Sequence, residues 1–207
     1  MCRFWRRNRM EMNKEKLSPQ AVRTKQHFKQ AFTELINEKG YSHVSVTDIV
    51  QRAAYNRATF YLHFLDKPHI TEELKQEMFE QIKRKSMERY TPGKIITTES
   101  LDTDSFELVS FIYDNRSFFN LYLMEDTIPG LHQDLPKAIF ELLDEQFTLV
   151  AKGGHDLNTK KFKLYMAHGT AGLILDWARN GYCESPREIT GELINILQAF
   201  AVGFRVE

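Results

Sequence analysis

The stretch VSVTDIVQRAAYNRATFYLHFLDK, residues 44–67, contains two short helical patterns separated by a turn of three to four residues. Ser45, followed three residues later by Asp48, can satisfy the free N–H groups at the start of the first helix. Asn56 stands in the equivalent place before the second helix. We therefore predict two closely packed short helices, the second over residues 57–64.

The second predicted helix has one apolar face and one polar face. Phe60 and Phe64, four residues apart, share a side and are expected to pack inward. The outward side chains carry hydrogen-bond donors: Arg57, Thr59, Tyr61 and His63. Two short helices, a tight corner and a donor-rich second helix have the outline of a DNA-reading helix-turn-helix.

This stretch resembles the DNA-binding domain of the TetR (tetracycline-repressor-like) family of bacterial regulators. The shared features are the Ser45 cap, the Thr59-Phe60-Tyr61 triplet, the aromatic Phe64, and Lys67 at the start of a long helix. Residues 21–40 match the family's first helix, because their apolar side chains recur at helical spacing before a terminal glycine.

Three positions depart from the family pattern. Ala54 replaces the usual turn glycine, Tyr55 replaces a small β-branched residue, and Leu65 replaces a common proline. The resemblance is specific over about residues 21–74 and is architectural beyond them.

The resemblance implies an all-α protein with an N-terminal three-helix DNA-binding domain and a larger C-terminal helical domain for ligand binding and dimerisation. We expect the first domain over residues 19–66 and the second over residues 67–207, after a disordered basic arm over residues 1–18. A chain of 207 residues is long enough to bury the cores of both domains.

The family pattern also implies roles at the DNA. The phosphate-contacting positions are Tyr61, His63 and Lys67, and the supporting helix begins near the DNA backbone with Ser45 and Thr47. The residues placed to reach base edges are Arg57, Ala58 and Thr59, with Asn56 opening the same helix. Phosphate contacts position the protein on the DNA, and contacts to base edges specify the DNA sequence that it binds.

The zero net charge of the chain hides an asymmetry. Residues 1–90 carry 18 Lys and Arg against 11 Asp and Glu, whereas residues 91–207 carry 10 against 17. Phosphate would attract only the first part, which contains the helix-turn-helix. The alternative is that both parts merely have solvated charged faces. We favour a chain that docks on DNA at one end.

The first residues, MCRFWRRNRM, are basic and lack the apolar centre of a secretory signal. Four arginines in this arm could follow phosphates or enter a minor groove. Alternatively, translation begins at Met10 or Met12 and residues 1–11 are not native. The two distant cysteines, Cys2 and Cys183, predict neither a disulfide framework nor a metal site. We expect a cytoplasmic protein that does not contact a membrane.

Beyond the helix-turn-helix, the sequence shows helical periodicity and no sustained strand-like alternation. A loop is expected over residues 91–103. We predict helices over residues 66–89, 105–115, 117–125, 136–152 and 159–180, and a last helix that starts at Ser185-Pro186 and carries its apolar stripe to Phe204.

The last two predicted helices are unusually apolar, and in the TetR family this pair joins its symmetry mate in a four-helix bundle. We therefore expect a homodimer, since helix-turn-helix readers bind two-fold operators as two-fold dimers. The predicted interface residues are Leu173, Trp177, Leu193, Leu197 and Phe200. The alternative is that both helices only complete the core of a single chain.

The family also implies a small-molecule site among the aromatic-rich helices. The predicted lining residues are Phe106, Phe111, Phe118, Tyr122, Phe147 and His168. A mostly apolar pocket of this kind suits a small apolar or amphipathic effector. The alternative is that these aromatic residues form plain core.

The sequence contains no dinucleotide-binding glycine motif after a strand, no phosphate loop, no zinc-protease motif and no nucleophile elbow. We therefore predict no enzymatic activity, cofactor or metal. The favoured function is a dimeric, sequence-specific regulator that binds double-stranded operator DNA, a repressor released by a small effector. The alternative is a coactivator or constitutive regulator that acts through a protein partner without a small ligand.

Overall fold

The computed structural model describes residues 18–207, so the predictions on the basic arm lie almost entirely outside the described residues. The helices are α1 Pro19–Lys39, α2 Val46–Arg52, α3 Arg57–His63, α4 Lys67–Met87, α5 Glu107–Asp114, α6 Arg116–Phe119, α7 Leu131–Gln146, α8 Lys160–Arg179 and α9 Pro186–Phe200. Short 3-10 turns cover Thr98–Ser100 and Asn120–Leu123. The predicted two-part, mainly helical architecture is confirmed.

We call the first three helices the head. Each of them begins directly after a residue whose side chain caps its free N–H groups. At α2 the Ser45 hydroxyl accepts from the N–H of Asp48, and the Asp48 carboxylate accepts from the N–H of Ser45, so the predicted capping box is confirmed. At α3 the Asn56 Oδ1 accepts from the N–H of Thr59 at 2.8 Å, as predicted. Four residues separate the two helices.

The remainder of the chain, which we call the body, starts with α4. The Asp66 carboxylate caps this helix by accepting from the N–H of His69 at 2.8 Å. Its buried stripe includes Ile70, Leu74 and Ile82. Because α4 is 21 residues long, it spans about 30 Å and links the head to the interior of the body.

The helix boundaries in the middle of the body differ from the prediction. α7 begins at Leu131 and not at Pro136, which lies inside it. Pro136 is the sixth residue of this helix, so α7 continues through it without the backbone hydrogen bond to the carbonyl oxygen of His132. The helix predicted over residues 117–125 is a short α6 that tightens into a 3-10 turn.

The prediction of a body without strands was wrong. Strands Ile95–Thr97 (β1), Phe147–Ala151 (β2) and Ala201–Val206 (β3) form an antiparallel sheet in the order β1-β3-β2. Residues 147–151 are therefore not helical, and Phe204 lies in β3 and not in the stripe of α9. Part of the loop predicted over 91–103 is β1.

The register of the sheet depends on a glycine. Gly203 lies opposite Thr97, and a Cβ at this position would lie 2.5 Å from the carbonyl oxygen of Ile96. On the far side, the Asn158 side chain accepts from the N–H of Leu149 at 2.7 Å and donates to its carbonyl oxygen at 2.9 Å. That amide therefore occupies the free edge of β2, as a neighbouring strand would.

α8 packs on α7, and α9 packs on α5. Within residues 18–207, no helix is long and apolar enough to cross a lipid bilayer.

Candidate functional site

An aromatic cluster fixes the orientation of α3. The Phe28 ring of α1 meets the rings of Phe60 and Phe64 edge-on, with centroids 5.4 and 6.2 Å apart. All three side chains are buried. Because aromatic rings are rigid and fill large volumes, this cluster holds the opposite face of α3 toward solvent.

The outward face of α3 carries a connected polar pair. The Arg57 guanidinium donates to the Tyr61 hydroxyl at 3.2 Å and lies 5.9 Å from the ring centroid. Both side chains and Ala58 are exposed. Thr59 is half-buried, and its hydroxyl donates to Asn56 Oδ1 at 3.0 Å, so this hydroxyl is engaged in the cap. Arg57 and Tyr61 are therefore the most accessible donors on the helix.

The departures from the family pattern in the turn have structural consequences. Ala54 adopts φ of 58°, in the left-handed region that favours glycine. Tyr55 is half-buried against the Phe28 ring, with centroids 5.0 Å apart, and its hydroxyl lies 3.0 Å from His27 Nδ1. The turn is thus retained with a strained alanine and an aromatic residue packed on α1.

Lys67 is not free in this structure, although the family resemblance implies a phosphate contact for it. Its ammonium donates to the carbonyl oxygen of Tyr41 at 3.1 Å and lies 4.4 Å above the Tyr41 ring. Both contacts connect the start of α4 to the turn between α1 and α2.

The remaining predicted DNA contacts lie around α2 and at the end of α3. Thr47 is exposed, and His63 is half-buried as the last residue of α3. Ser45 is occupied by its cap. Its hydrogen bonds, with the Lys39 ammonium 2.9 Å away, hold the pKa of Asp48 well below its usual range. Asp48 is therefore an anion at any physiological pH.

Sequence reasoning missed Leu62, whose side chain is 81% exposed on the outer side of α3. Leu65, just beyond the helix, is 76% exposed. Apart from Ala58, the prediction considered only hydrogen-bonding side chains on that face. An exposed apolar side chain on a helix that is expected to read DNA is itself a signal, because thymine methyl groups are read by apolar contact.

The body contains a cavity of about 620 Å³ between α5, α7, α8, α9 and the sheet. Of the residues predicted to line a ligand site, Phe106 and Phe147 line this cavity. Phe111, Phe118 and Tyr122 do not: the last two pack with Phe119 in the continuous core, with ring centroids 5.5 and 6.0 Å from it. His168 is exposed on α8. The cavity lies nearer the C-terminal helices than expected.

The predicted interface residues are divided between this cavity and the core. Leu173, Leu193, Leu197 and Phe200 line the cavity within one chain. Trp177 is 2% exposed, and its Nε1 donates to the carbonyl oxygen of Glu184 at 2.9 Å. The exposed side of α8 presents Leu164, Tyr165, Gly169 and Gly172 beside the predicted Leu173, and that of α9 presents Ile196 and Ala199.

Comparison with known proteins agrees with this architecture. Residues 30–74 match the family model described as bacterial regulatory proteins, tetR family, and residues 105–199 match one described as transcriptional regulator C-terminal region. Among curated relatives, the HTH-type transcriptional regulator YxbF of Bacillus subtilis is 25% identical over 191 residues, which cover 90% of this chain. The chain spans about half the length of the curated relatives it matches, 48% of YxbF.

Solved structures show the same fold at low sequence identity. The dihydroxyacetone kinase operon activator DhaS has a TM-score of 0.60 at 19% identity, over 86% of this chain and 96% of its own. The regulator FadR from Bacillus subtilis, solved with stearoyl-CoA, has a TM-score of 0.57 at 16% identity, over 83% and 96%. With the capped helices, the outward α3 and the two family models, these matches lead to one conclusion: the chain belongs to the TetR family of DNA-binding transcriptional regulators.

Proposed function

We propose that the protein is a dimeric regulator that binds a specific operator and acts as a repressor released by a small molecule. The observation that carries this proposal is a head with an exposed, rigidly held α3, joined by α4 to a body with a large apolar cavity. Such an arrangement can bind DNA at one end and respond to a ligand at the other.

At the DNA, α3 would enter the major groove with Arg57 toward base edges. A guanidinium forms two hydrogen bonds to guanine O6 and N7, and here the Tyr61 hydroxyl already supports it at 3.2 Å. Tyr61, His63 and Thr47 are the further residues that would contact phosphates. Lys67 can contact a phosphate if its ammonium leaves the Tyr41 carbonyl oxygen. If that hydrogen bond remains, Lys67 instead holds the start of α4 against the turn between α1 and α2.

The exposed sides of α8 and α9 support the dimer. Leu164, Tyr165, Leu173 and Ile196 are large apolar side chains that are between 39% and 71% exposed. Gly169 and Gly172 leave open space between them, where another helix can approach closely. An apolar face with small residues at its centre is suited to pairing with a second copy of this chain.

The switch follows from the position of α4. Ser86, in the last turn of this helix, lines the cavity, and Lys67 at its first turn contacts the turn between α1 and α2. A ligand can shift the protein only toward a state that it binds better. In a dimer, a state in which α4 is displaced would change the distance between the two α3 helices. An operator requires that distance to be about 34–36 Å or a multiple of it.

A gel shift against the DNA that flanks the gene for this protein tests the proposal. Wild-type protein should retard one fragment and not random DNA of equal length. Arg57→Ala should weaken specific binding by about 1–3 kcal/mol and relax the preference at one base pair. Equal losses on specific and random DNA would contradict the base-reading role of Arg57.

The rival regulator, which acts through a protein partner without a ligand, makes a different prediction. Its DNA binding would be unchanged by any compound that occupies the cavity. Reciprocal coupling separates the two: if the ligand releases DNA, DNA must weaken the ligand by the same factor.

A further inference from the structure

The turn between α3 and α4 is closed by His69. The N–H of Phe64, at the end of α3, donates to the carbonyl oxygen of Phe60 at 2.9 Å. The next N–H, that of Leu65, leaves the helical pattern and donates to Nδ1 of the His69 ring at 2.9 Å. The backbone N–H of His69 in turn donates to the Asp66 carboxylate at 2.8 Å. The third residue of α4 therefore forms two hydrogen bonds to the turn that follows α3.

These hydrogen bonds assign one protonation state to the His69 ring. A ring nitrogen that accepts a hydrogen bond carries a lone pair, so Nδ1 is not protonated. The ring proton is then on Nε2, which lies 3.2 Å from Oε1 of Glu73. The neutral ring thus accepts from Leu65 on one side and faces a carboxylate on the other. A proton added at Nδ1 would meet the Leu65 N–H and break that hydrogen bond.

The carboxylate beside this ring is already paired. Oε2 of Glu73 lies 2.7 Å from the Lys25 ammonium and 3.6 Å from that of Lys29, both on α1. The Lys29 ammonium also lies 2.6 Å from Glu77. Because these two lysines offset these two glutamates in charge, the attraction of Glu73 for a protonated His69 is largely balanced.

The remaining groups around the ring also balance. The Asp66 carboxylate lies at the first turn of α4, where the free N–H groups of the helix carry partial positive charge. From α3 the ring is faced by the uncharged Phe64 ring, edge-on, with centroids 5.9 Å apart. Among the described residues of α4, exposed Glu72 forms no ion pair with His69. The hydrogen bond from Leu65 is therefore the contact that distinguishes the neutral ring from the protonated one.

This turn affects the DNA-binding side of the head. Contacts that run from Lys25 through Glu73 and His69 to Leu65 connect α1, α4 and the end of α3. α3 has only seven residues, about 10 Å in length, so a displacement of its last turn tilts the whole helix. Without the Leu65 hydrogen bond, the buried Phe64 ring would hold this end of α3 by apolar packing, which is not directional.

We propose that His69 is a positioning residue for DNA binding, and that it acts only while Nδ1 is unprotonated. The neutral ring holds the turn after α3 in the geometry that suits the major groove, and acid releases it. This inference rests on the proposed role of α3 in reading DNA. Because histidine in an unstructured chain titrates at about pH 6.5, a comparison of about pH 7.5 with about pH 5.5 covers the change.

Hydrogen–deuterium exchange measured by NMR without DNA tests the hydrogen bond. Asparagine is the conservative variant, because its Oδ1 can accept in place of Nδ1 and does not titrate. After correction for intrinsic exchange rates, the Leu65 N–H should be protected at about pH 7.5 in the wild type and in His69→Asn, and unprotected in His69→Ala. At about pH 5.5 only His69→Asn should retain the protection. Equal protection of Leu65 in the wild type at both pH values would overturn the dependence on Nδ1.

Fluorescence anisotropy, with the DNA fragment that the wild type retards in the gel shift, tests the positioning role. At about pH 7.5, His69→Ala should bind about two- to tenfold more weakly, the effect of losing one neutral hydrogen bond, and His69→Asn should bind like the wild type. At about pH 5.5 the wild type should weaken by about the same factor relative to His69→Asn. The other histidines, including His63, are present in both proteins, so this ratio isolates His69.

The matched control is His132→Ala, at an exposed histidine in the first turn of α7, which should follow the wild type at both pH values. If His69→Asn binds as weakly as His69→Ala, or loses affinity on acidification as steeply as the wild type, His69 is not a positioning residue. Circular dichroism checks folding, and should His69→Ala unfold, the comparison of the wild type with His69→Asn still decides.

The two experiments also keep this inference apart from the proposed function. A wild type that binds one fragment specifically, with equal affinities in all three proteins at both pH values, would overturn only the role of His69. A wild type that binds no fragment specifically, while Leu65 keeps its His69-dependent protection, would overturn the proposed function and the DNA role of His69 but not the contact in the turn.

Discussion

The carboxylate of Asp126 in the body accepts hydrogen bonds from both the backbone N–H and the hydroxyl of Ser42 in the head, at 3.1 and 2.7 Å. The carbonyl oxygen of Asp126 also accepts from the N–H of Tyr41 at 3.0 Å. Gly40 permits this approach, since a Cβ at its position, where φ is 83°, would collide with the Asp126 carboxylate. The loop before α7 thus holds the turn between α1 and α2.

This clamp leads to the first prediction. Asp126→Ala removes both side-chain acceptors, so the Ser42 N–H should exchange with deuterium faster than in the wild type, with little effect on α8. Hydrogen–deuterium exchange of peptides covering residues 41–45 measures this. The neighbouring exposed Glu125→Ala is the control. Unchanged protection of Ser42 in Asp126→Ala would show that the clamp does not hold the turn.

The second prediction concerns acid. The hydrogen bond from the Ser45 hydroxyl, and second to it the contact with the Lys39 ammonium, keep the pKa of Asp48 below its ordinary value of 3.8 in the folded chain. Because the unfolded chain binds this proton more readily, the contribution to stability is complete above about pH 3.8 and is lost as the pH falls through the lowered pKa. Melting temperatures should therefore fall less steeply in Asp48→Asn than in the wild type between about pH 5 and about pH 2. Parallel curves would contradict the assignment.

The third prediction concerns the turn of the helix-turn-helix. Ala54→Gly should stabilise the protein by about 0.5–1 kcal/mol, because it relieves a left-handed alanine. Ala53 has φ of −75°, in the right-handed helical region, so Ala53→Gly should instead destabilise by about 0.5–1 kcal/mol. Urea unfolding of both variants measures the two signs. Destabilisation by Ala54→Gly would mean that the alanine side chain makes contacts worth more than the strain.

The fourth prediction concerns Leu62. Because its side chain is 81% exposed, Leu62→Ala should leave stability nearly unchanged. If it contacts a thymine methyl group, the variant should lose about 1–2 kcal/mol on the operator and nothing on random DNA. Leu123→Ala, at an exposed leucine of the 3-10 turn Asn120–Leu123 and outside the proposed dimer face, is the control for nonspecific effects. Full operator affinity in Leu62→Ala would show that Leu62 does not contact the bases of the operator.

The fifth prediction separates folding from dimerisation. Gly172 is helical and a Cβ there meets nothing within 4 Å, so Gly172→Leu should strengthen the helix within one chain. In a dimer the leucine would block close approach of the partner helix, and association should weaken by at least about tenfold. Light scattering over a range of concentrations, with circular dichroism as the folding check, decides this. A dimer as tight as the wild type would place the interface elsewhere.

The sequence alone determined the elements whose signals are local. The Ser45 and Asn56 caps start α2 and α3, and the spacing of Phe60 and Phe64 sets the inward face of α3. These features depend on residues three or four apart, so they can be read without knowledge of the fold.

The sheet, the cavity and the clamp depend on residues distant in sequence. Phe200 and Phe204 fit one helical stripe, yet Phe204 joins a strand because Gly203 allows close approach to Ile96, about a hundred residues earlier. Likewise, Phe118 and Phe147 are both aromatic residues of the body, but only packing decides that one fills the core while the other lines a cavity. Local sequence determined where α2 and α3 begin and which face of α3 is buried, whereas long-range packing, in which strand pairing and burial compete with helical periodicity, decided the form of the body.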